Sequence, residues 1–141
     1  MSNAETAAKN LEIVKIMLAN GHAGRWDIVK PYVSDRLVLH VPPGLPFGGD
    51  YHGWQGYVDI LKAIGSFFTD IKAAGTREFA TVDDKVVVIG ALSCRIAANG
   101  KPITFPLTDI WELKDGKVVR ITAFYYDTKA IADLAATPGE R

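Results

Sequence analysis

The dipeptide Asn99-Gly100 stands between two long runs of β-forming residues, 86–97 and 102–113. Asn-Gly is the strongest short hairpin signal, because the favoured two-residue turn needs positive φ at both central positions. Two strands joined so tightly lie antiparallel, and their register decides which side chains share a face. Read as a two-residue loop, the turn sets Ile96 against Ile103, Cys94 against Phe105, Leu92 against Leu107 and Gly90 against Asp109. One face then carries Gly90, Leu92, Cys94, Ile96, Ile103, Phe105, Leu107, Asp109 and Trp111 and is the buried one. Ile89, Ala91, Ser93, Arg95, Thr104, Pro106, Thr108, Ile110 and Glu112 take the other. A carboxylate, Asp109, therefore lies in an apolar face, opposite a glycine that leaves room.

The rest of the chain supplies what that sheet packs against. Leu11, Val14 and Leu18, with Ile13 and Met17, recur at helical spacing, which predicts an amphipathic helix over residues 4–20. Ser2 and Glu5 have the spacing of a capping box at its start, and Gly21 and Gly24 end it. A short second helix near Trp26 is interrupted at Pro31. Residues 36–41 read as a strand, and a Pro/Gly-rich loop runs from there to Gly53. Tyr57, Ile60, Leu61, Ile64 and Phe68 give a third helix. Extended segments follow at 76–82 and 118–126, with turns at Asp83-Asp84 and Asp115-Gly116. A short helix spans 130–136 before a loose tail. The expected fold class is α+β, a single domain over residues 1–141. A cone-shaped, curved antiparallel sheet wraps around three helices and encloses a pocket.

At Asp115-Gly116 a two-residue loop would put Arg120, Thr122, Phe124 and Tyr126 on the Asp109 face. A three-residue loop with Gly116 left-handed would put Val119, Ile121, Ala123 and Tyr125 there. The second set is more apolar and is the one expected. It places Asp109 among Leu107, Trp111 and Ile121 with no cation on that face.

Charge excludes some functions. Sixteen basic residues balance sixteen acidic ones, so the chain has no electrostatic claim on nucleic acid or an anionic membrane. No basic segment followed by an apolar stretch opens the sequence, and no apolar run reaches membrane-spanning length, so a cytoplasmic protein is expected. Cys94 alone permits no intrachain disulfide and reads as a small core hydrophobe. Three dispersed histidines give no zinc spacing, and no glycine motif leads into a helix as a phosphate loop does. No metal and no cofactor are expected.

Two residues carry candidate chemistry. A carboxylate in an apolar pocket has a raised pKa unless something pairs with it, which makes Asp109 a proton donor near neutrality. The alternative is an Asp satisfied by backbone or by Arg95 or Arg120. His40 ends a strand beside the Pro/Gly loop and is the side chain most easily set near neutral pKa. Against it, strand alternation puts Leu37, Leu39 and Val41 on one face and His40 on the other. Trp26, Trp54, Tyr57 and Phe68 are candidate walls for an apolar ligand, with core packing as the competing reading.

The stretches "LVLHVPPGLPFGGDYHGWQGYVDIL" and "DIWELKDGKVVRITAFYYD" resemble the nuclear transport factor 2-like superfamily, closest to its SnoaL-like and ketosteroid-isomerase-like branch. The resemblance spans nearly the whole chain and implies a cone-shaped fold, a small hydrophobic ligand and a homodimer formed through the outer sheet face. It puts Asp109 at the isomerase's oxyanion aspartic acid, where SnoaL-like cyclases have a histidine. His40, or Val41 one residue on, falls near the isomerase's general base. Met17 stands where the isomerase has its oxyanion tyrosine. Ala123 replaces an aspartate of cyclases and limonene epoxide hydrolase, whose remaining charges fall on Gly90 and Leu92.

The expected constellation is therefore His40 and Asp109 as acid and base. The pocket is drawn from Met17, Trp26, Trp54, Tyr57, Phe68, Leu92, Phe105, Leu107, Trp111, Ala123 and Tyr125. It suits an isomerase or polyketide cyclase moving a proton next to a carbonyl. A non-catalytic binding domain is the alternative, and epoxide hydrolysis is disfavoured by its three empty positions.

Overall fold

The structure, a computed structural model, describes residues 3–139. Ser2 of the expected capping box, Glu140 and Arg141 lie outside the described residues. The elements are α1 (Asn3–Asn20), α2 (Trp26–Val29), β1 (Val33–Val41), β2 (Gly49–His52), α3 (Gly53–Phe67), β3 (Phe68–Ala73), β4 (Glu78–Val82), β5 (Lys85–Ile96), β6 (Pro102–Lys114), β7 (Lys117–Tyr125) and α4 (Thr128–Ala135). A single 3-10 turn, Lys30–Tyr32, follows α2, as Pro31 requires.

Seven strands make one curved sheet in the order β2-β1-β7-β6-β5-β3, with β4 also on β5. Every pair is antiparallel except β1 with β7, so the expected all-antiparallel sheet is a mixed one. Register shifts interrupt β1–β7, β3–β5 and β6–β7. Such irregularities bend and twist strands, which lets the sheet wrap around α1 and α3. The helices bury Ile13, Val14 and Met17 of α1 and Tyr57, Val58 and Ile60 of α3 into it. Gly21 allows α3 to come close to the end of α1, since a Cβ there would overlap the Tyr57 hydroxyl.

The sheet faces are as expected, but the registers that produce them differ. Ile96 accepts a hydrogen bond from Gly100 and donates one to the Lys101 carbonyl, so the loop is Ala97 to Gly100, four residues. The pairing is displaced by two residues: Val88, not Gly90, lies opposite Asp109, and Gly90 faces Leu107. A displacement of two keeps every side chain on its face. Asn99 does not take the positive φ that the two-residue turn needs; its side chain accepts from Lys101 N–H within the loop and donates to the Leu134 and Thr137 carbonyls. Those bonds pin the end of α4 and the start of the tail expected to be loose. At the last hairpin the turn has two residues, Asp115 (φ 51) and Gly116 (φ 76), and Lys114 pairs with Lys117. An irregularity after Glu112 then makes Val118 the partner of Leu113, while Ile121, Ala123 and Tyr125 still join the Asp109 face.

The Pro/Gly loop is a plug. Leu45 and Phe47 are buried, and Phe47 packs on Phe67, Phe68 and Tyr125 at ring separations of 5.1, 5.9 and 6.1 Å. Proline and glycine shape the backbone so that one aromatic ring closes that end of the cone.

Candidate functional site

Between the helices and the concave sheet lies a cavity with about 80 Å³ of free space. Met17 and Leu18 of α1 and Tyr57, Ile60, Leu61 and Ile64 of α3 form its helical wall. The sheet wall comes from Leu39 and Val41, Leu92, the series Leu107, Asp109 and Trp111, and Ile121, Ala123 and Tyr125. His22, in the turn after α1, completes the rim. A smaller chamber of about 40 Å³ shares Leu18, His22, Leu92, Leu107 and Asp109 with the first and adds Arg77, Val88, Gly90 and Ala91. Asp109 thus stands where an apolar chamber meets a more polar one.

Strand geometry explains this position. Asp109 pairs with Val88 on one side and with the small Ala123 on the other, so space opens beside its carboxylate. The carboxylate makes no hydrogen bond and no salt bridge among the described residues. Burial pushes its pKa up to about 7, and the Arg77 charge opposes that rise. Deep placement and partial solvent access coexist because the side chain faces the cavity. Burial also raises the Tyr57 hydroxyl, and burial with the nearby Asp109 and Cys94 raises that of Tyr125, so both keep their protons. Neither hydroxyl is hydrogen-bonded among the described residues. The buried Trp111 Nε1 also lacks an acceptor. Burial lowers His22 below the ordinary imidazole value, and Arg77 lowers it further. The residue is exposed to solvent at the rim, where water tempers both causes.

Arg77 reaches this site through a break in the sheet edge. β3 and β4 lie end to end along β5, β3 pairing as far as Leu92 and β4 from Ile89. Arg77 crosses over Gly90 in the gap, where an added Cβ would stand 3.3 Å from its Cγ. The room at Gly90 is therefore used by a cation, which corrects the expectation that none lies on the Asp109 face. Arg95 and Arg120, considered as partners of Asp109, instead face Asp70 and Glu112 at 3.7 Å.

Of the residues expected in the pocket, Asp109, Met17, Tyr57, Leu92, Leu107, Trp111, Ala123 and Tyr125 line the cavity. His40 does not. It points outward and its Nδ1 sits 2.7 Å from Asp50 Oδ1 on the neighbouring strand, because alternation turns Leu39 and Val41 inward instead. Phe68 and Phe105 are core residues, 1% and 3% exposed, with rings 5.7 Å apart. Trp26 and Trp54 form an edge-to-face pair at 5.9 Å behind Tyr57, outside the cavity. The sequence reading missed His22 and Arg77. One signal for Arg77 exists: the Asp83-Asp84 turn pairs Val82 with Lys85 and Glu78 with Ile89, and one further step sets Arg77 against Gly90.

The model of the SnoaL-like domain matches residues 15–121. The chain belongs to the SnoaL-like family. Among curated proteins none matches this SnoaL-like domain in sequence. Solved structures share its architecture. An NTF2-like protein of Burkholderia xenovorans superposes with a TM-score of 0.84 at 19% identity, covering 92% of this chain and 97% of that one. A candidate SnoaL-like polyketide cyclase from Jannaschia gives 0.81 at 16% identity, covering 98% and 99%. TerC, co-crystallised with polyporic acid, gives 0.77 at 22% identity, covering 92% and 99%. Likeness at this level shows the fold. No helix among the described residues is long and apolar enough to cross a membrane.

Proposed function

We propose that this SnoaL-like domain binds a small, mostly apolar carbonyl compound and moves a proton next to its carbonyl group, as an isomerase or cyclase does. The observation that carries this reading is the cavity's polar inventory: Asp109, two tyrosine hydroxyls and the Trp111 N–H, none hydrogen-bonded within the described protein. The buried Trp111 N–H without an acceptor, with the tyrosine hydroxyls facing the same cavity, favours a ligand that brings an oxygen. His22, neutral at pH 7, takes the place first given to His40 as base. It removes the proton from the carbon beside the carbonyl, and the C–H electron pair moves toward the carbonyl oxygen. Asp109 in its acid form donates a hydrogen bond to that oxygen as charge develops. The proton on His22 returns to another carbon in an isomerisation, or the enolate carbon attacks a second carbonyl in a cyclisation. TerC's complex with polyporic acid supports the use of such a cavity for small molecules.

The minimal partial reaction tests this without knowledge of the natural substrate. Proton NMR in heavy water will show accelerated exchange of hydrogens beside the carbonyl in at least one of a panel of small ketones and keto esters. Both Asp109→Asn and His22→Gln will slow it at least about tenfold, equivalent to ~1.4 kcal/mol of barrier. Exchange at the wild-type rate in Asp109→Asn would reject the mechanism. Binding without exchange across the panel would leave a non-catalytic binding domain, the reading favoured by Met17 and Ala123 at positions where relatives keep catalytic groups.

We further propose a homodimer through the outer sheet face. Phe124 pairs with Thr108, and Thr108 with Ile89, giving one row across the sheet in which Phe124 is 53% and Ile89 45% exposed. Exposed apolar rows of this kind mark contact surfaces. Light scattering at micromolar concentration will give a dimer mass, and Phe124→Asp with Ile89→Asp will give monomers. A monomeric wild type would end this reading.

A further inference from the structure

Arg77 is the least explained charge in the molecule. It is partly buried, yet makes no hydrogen bond and no salt bridge among the described residues. Arg95 and Arg120, on the outer face of the sheet, behave differently, each having a carboxylate within reach. Lying over Gly90 on the lining of the smaller chamber, with no carboxylate of the described residues paired to it, this guanidinium is an anion-binding group that the protein itself leaves unused. Its forked donors match a carboxylate in particular.

We propose that the smaller chamber, between His22, Arg77 and Asp109, holds the carboxylate of a short apolar acid whose hydrocarbon end fills the larger chamber. This rests on the reading above that the cavity takes a small molecule, and it names that molecule's class: a compact carboxylic acid, with a keto acid as the reactive form. Three further observations agree. The chambers meet at shared residues, so one ligand spans both. Their linings differ in that Arg77 belongs to the smaller chamber alone, while His22 and Asp109 stand at the junction and most other side chains of the larger are apolar. Size limits the tail: free space of about 80 Å³ is well under the roughly 150 Å³ of a cavity that takes benzene. A branched tail of four carbons suits it better than fused rings.

The acid's charge and that of Asp109 are compatible only if one proton stays between them. Asp109 in its acid form donates to the ligand, to the carboxylate of a simple acid and to the keto oxygen of a keto acid, while Arg77 takes the carboxylate and balances the charge. The other titratable groups facing this region, His22, Tyr57, Tyr125 and Cys94, then keep neutral forms at pH 7. Binding of a carboxylate at pH 8 therefore takes up a proton, whereas binding of the matching alcohol does not.

Isovalerate and 3-methylbutan-1-ol are the probes, measured on the full-length protein by calorimetry in two buffers of different ionisation heat and by amide NMR shifts. Isovalerate is expected to bind at least tenfold more tightly than the alcohol, with proton uptake, and to shift amides at Gly90 and Asp109. Arg77→Gln is expected to lose that preference and keep the alcohol's affinity. Arg77→Lys, which keeps the charge without the fork, will fall between. If Arg77→Gln does not fold, the acid-over-alcohol preference and the proton uptake of the wild type decide the matter. Equal affinities for acid and alcohol would overturn the proposal while leaving the cavity reading intact. Absence of cavity shifts with both probes would overturn both. Unchanged isovalerate affinity in folded Arg77→Gln would also overturn it.

Discussion

Replacing Asp109 by Asn is expected to stabilise the protein at pH 8 and to change its stability little near pH 4. The folded-state pKa of Asp109 is about 7, raised from 3.8 by burial. In the unfolded chain the carboxyl ionises near 3.8, while in the folded protein it holds its proton to about 7. Within that window the native state binds more protons than the unfolded one, so stability falls as pH rises. The contribution is intact below the unfolded value and is lost by the time pH has passed the folded one. At ~1.4 kcal/mol per unit, full expression of this rise would amount to about 4 kcal/mol. Access to cavity water relieves part of it, which brings the expectation to on the order of 2–4 kcal/mol. Asn does not titrate, so the difference between variant and wild type grows through the window and levels off above it. Urea unfolding of both proteins at pH 4, 6 and 8 measures this directly. A difference independent of pH would show that Asp109 ionises normally, and the acid role would fall with it.

Side-chain facing was the most legible feature of this sequence, and the reason is the period of a strand. Alternation has period two, so a register read two residues off at Asn99-Gly100 still gave the right buried face. What it could not give was the identity of direct partners, and Asp109 lost its supposed glycine neighbour for that reason. The Pro/Gly loop was visible as rigid, but rigidity alone does not distinguish the rim of a cavity from a plug, and Phe47 decides for the plug. β3 was hidden because the apolar pair Phe67-Phe68 continues the helix pattern of α3 before the chain turns extended. Asp109 was found because a carboxylate on an apolar face is conspicuous. His22 was not, since it sits in a connection, where local pattern carries no facing information, and Arg77 was not, since its place opposite Gly90 shows only when the Asp83-Asp84 hairpin register is carried one step past β4. His40 shows the converse. Its position beside a distinctive loop and its match to a family position argued for chemistry, while simple alternation placed it outside, and alternation prevailed.

Phe68→Ala is expected to destabilise the protein by about 3–5 kcal/mol, the usual cost of deleting a large aromatic from a packed core. Phe68 is 1% exposed, and its ring lies 4.7, 5.7 and 5.9 Å from those of Phe67, Phe105 and Phe47. The group ties the start of β3 and the plug to the first part of β6. Truncation leaves a void walled by aromatic rings, and an apolar void of that kind stays dry and unfilled. The position of Asp109 is set instead by β5 and β7, so its titration should be nearly unaffected. That separation tests the division between core and site drawn above. Urea unfolding gives the stability, and carbon-detected NMR of the folded variant gives the carboxyl pKa. A loss below about 1 kcal/mol would mean that the plug is loosely packed. A large fall in the Asp109 pKa, with stability lost as expected, would mean that the aromatic cluster is a wall of the cavity and that Phe68 belongs to the site.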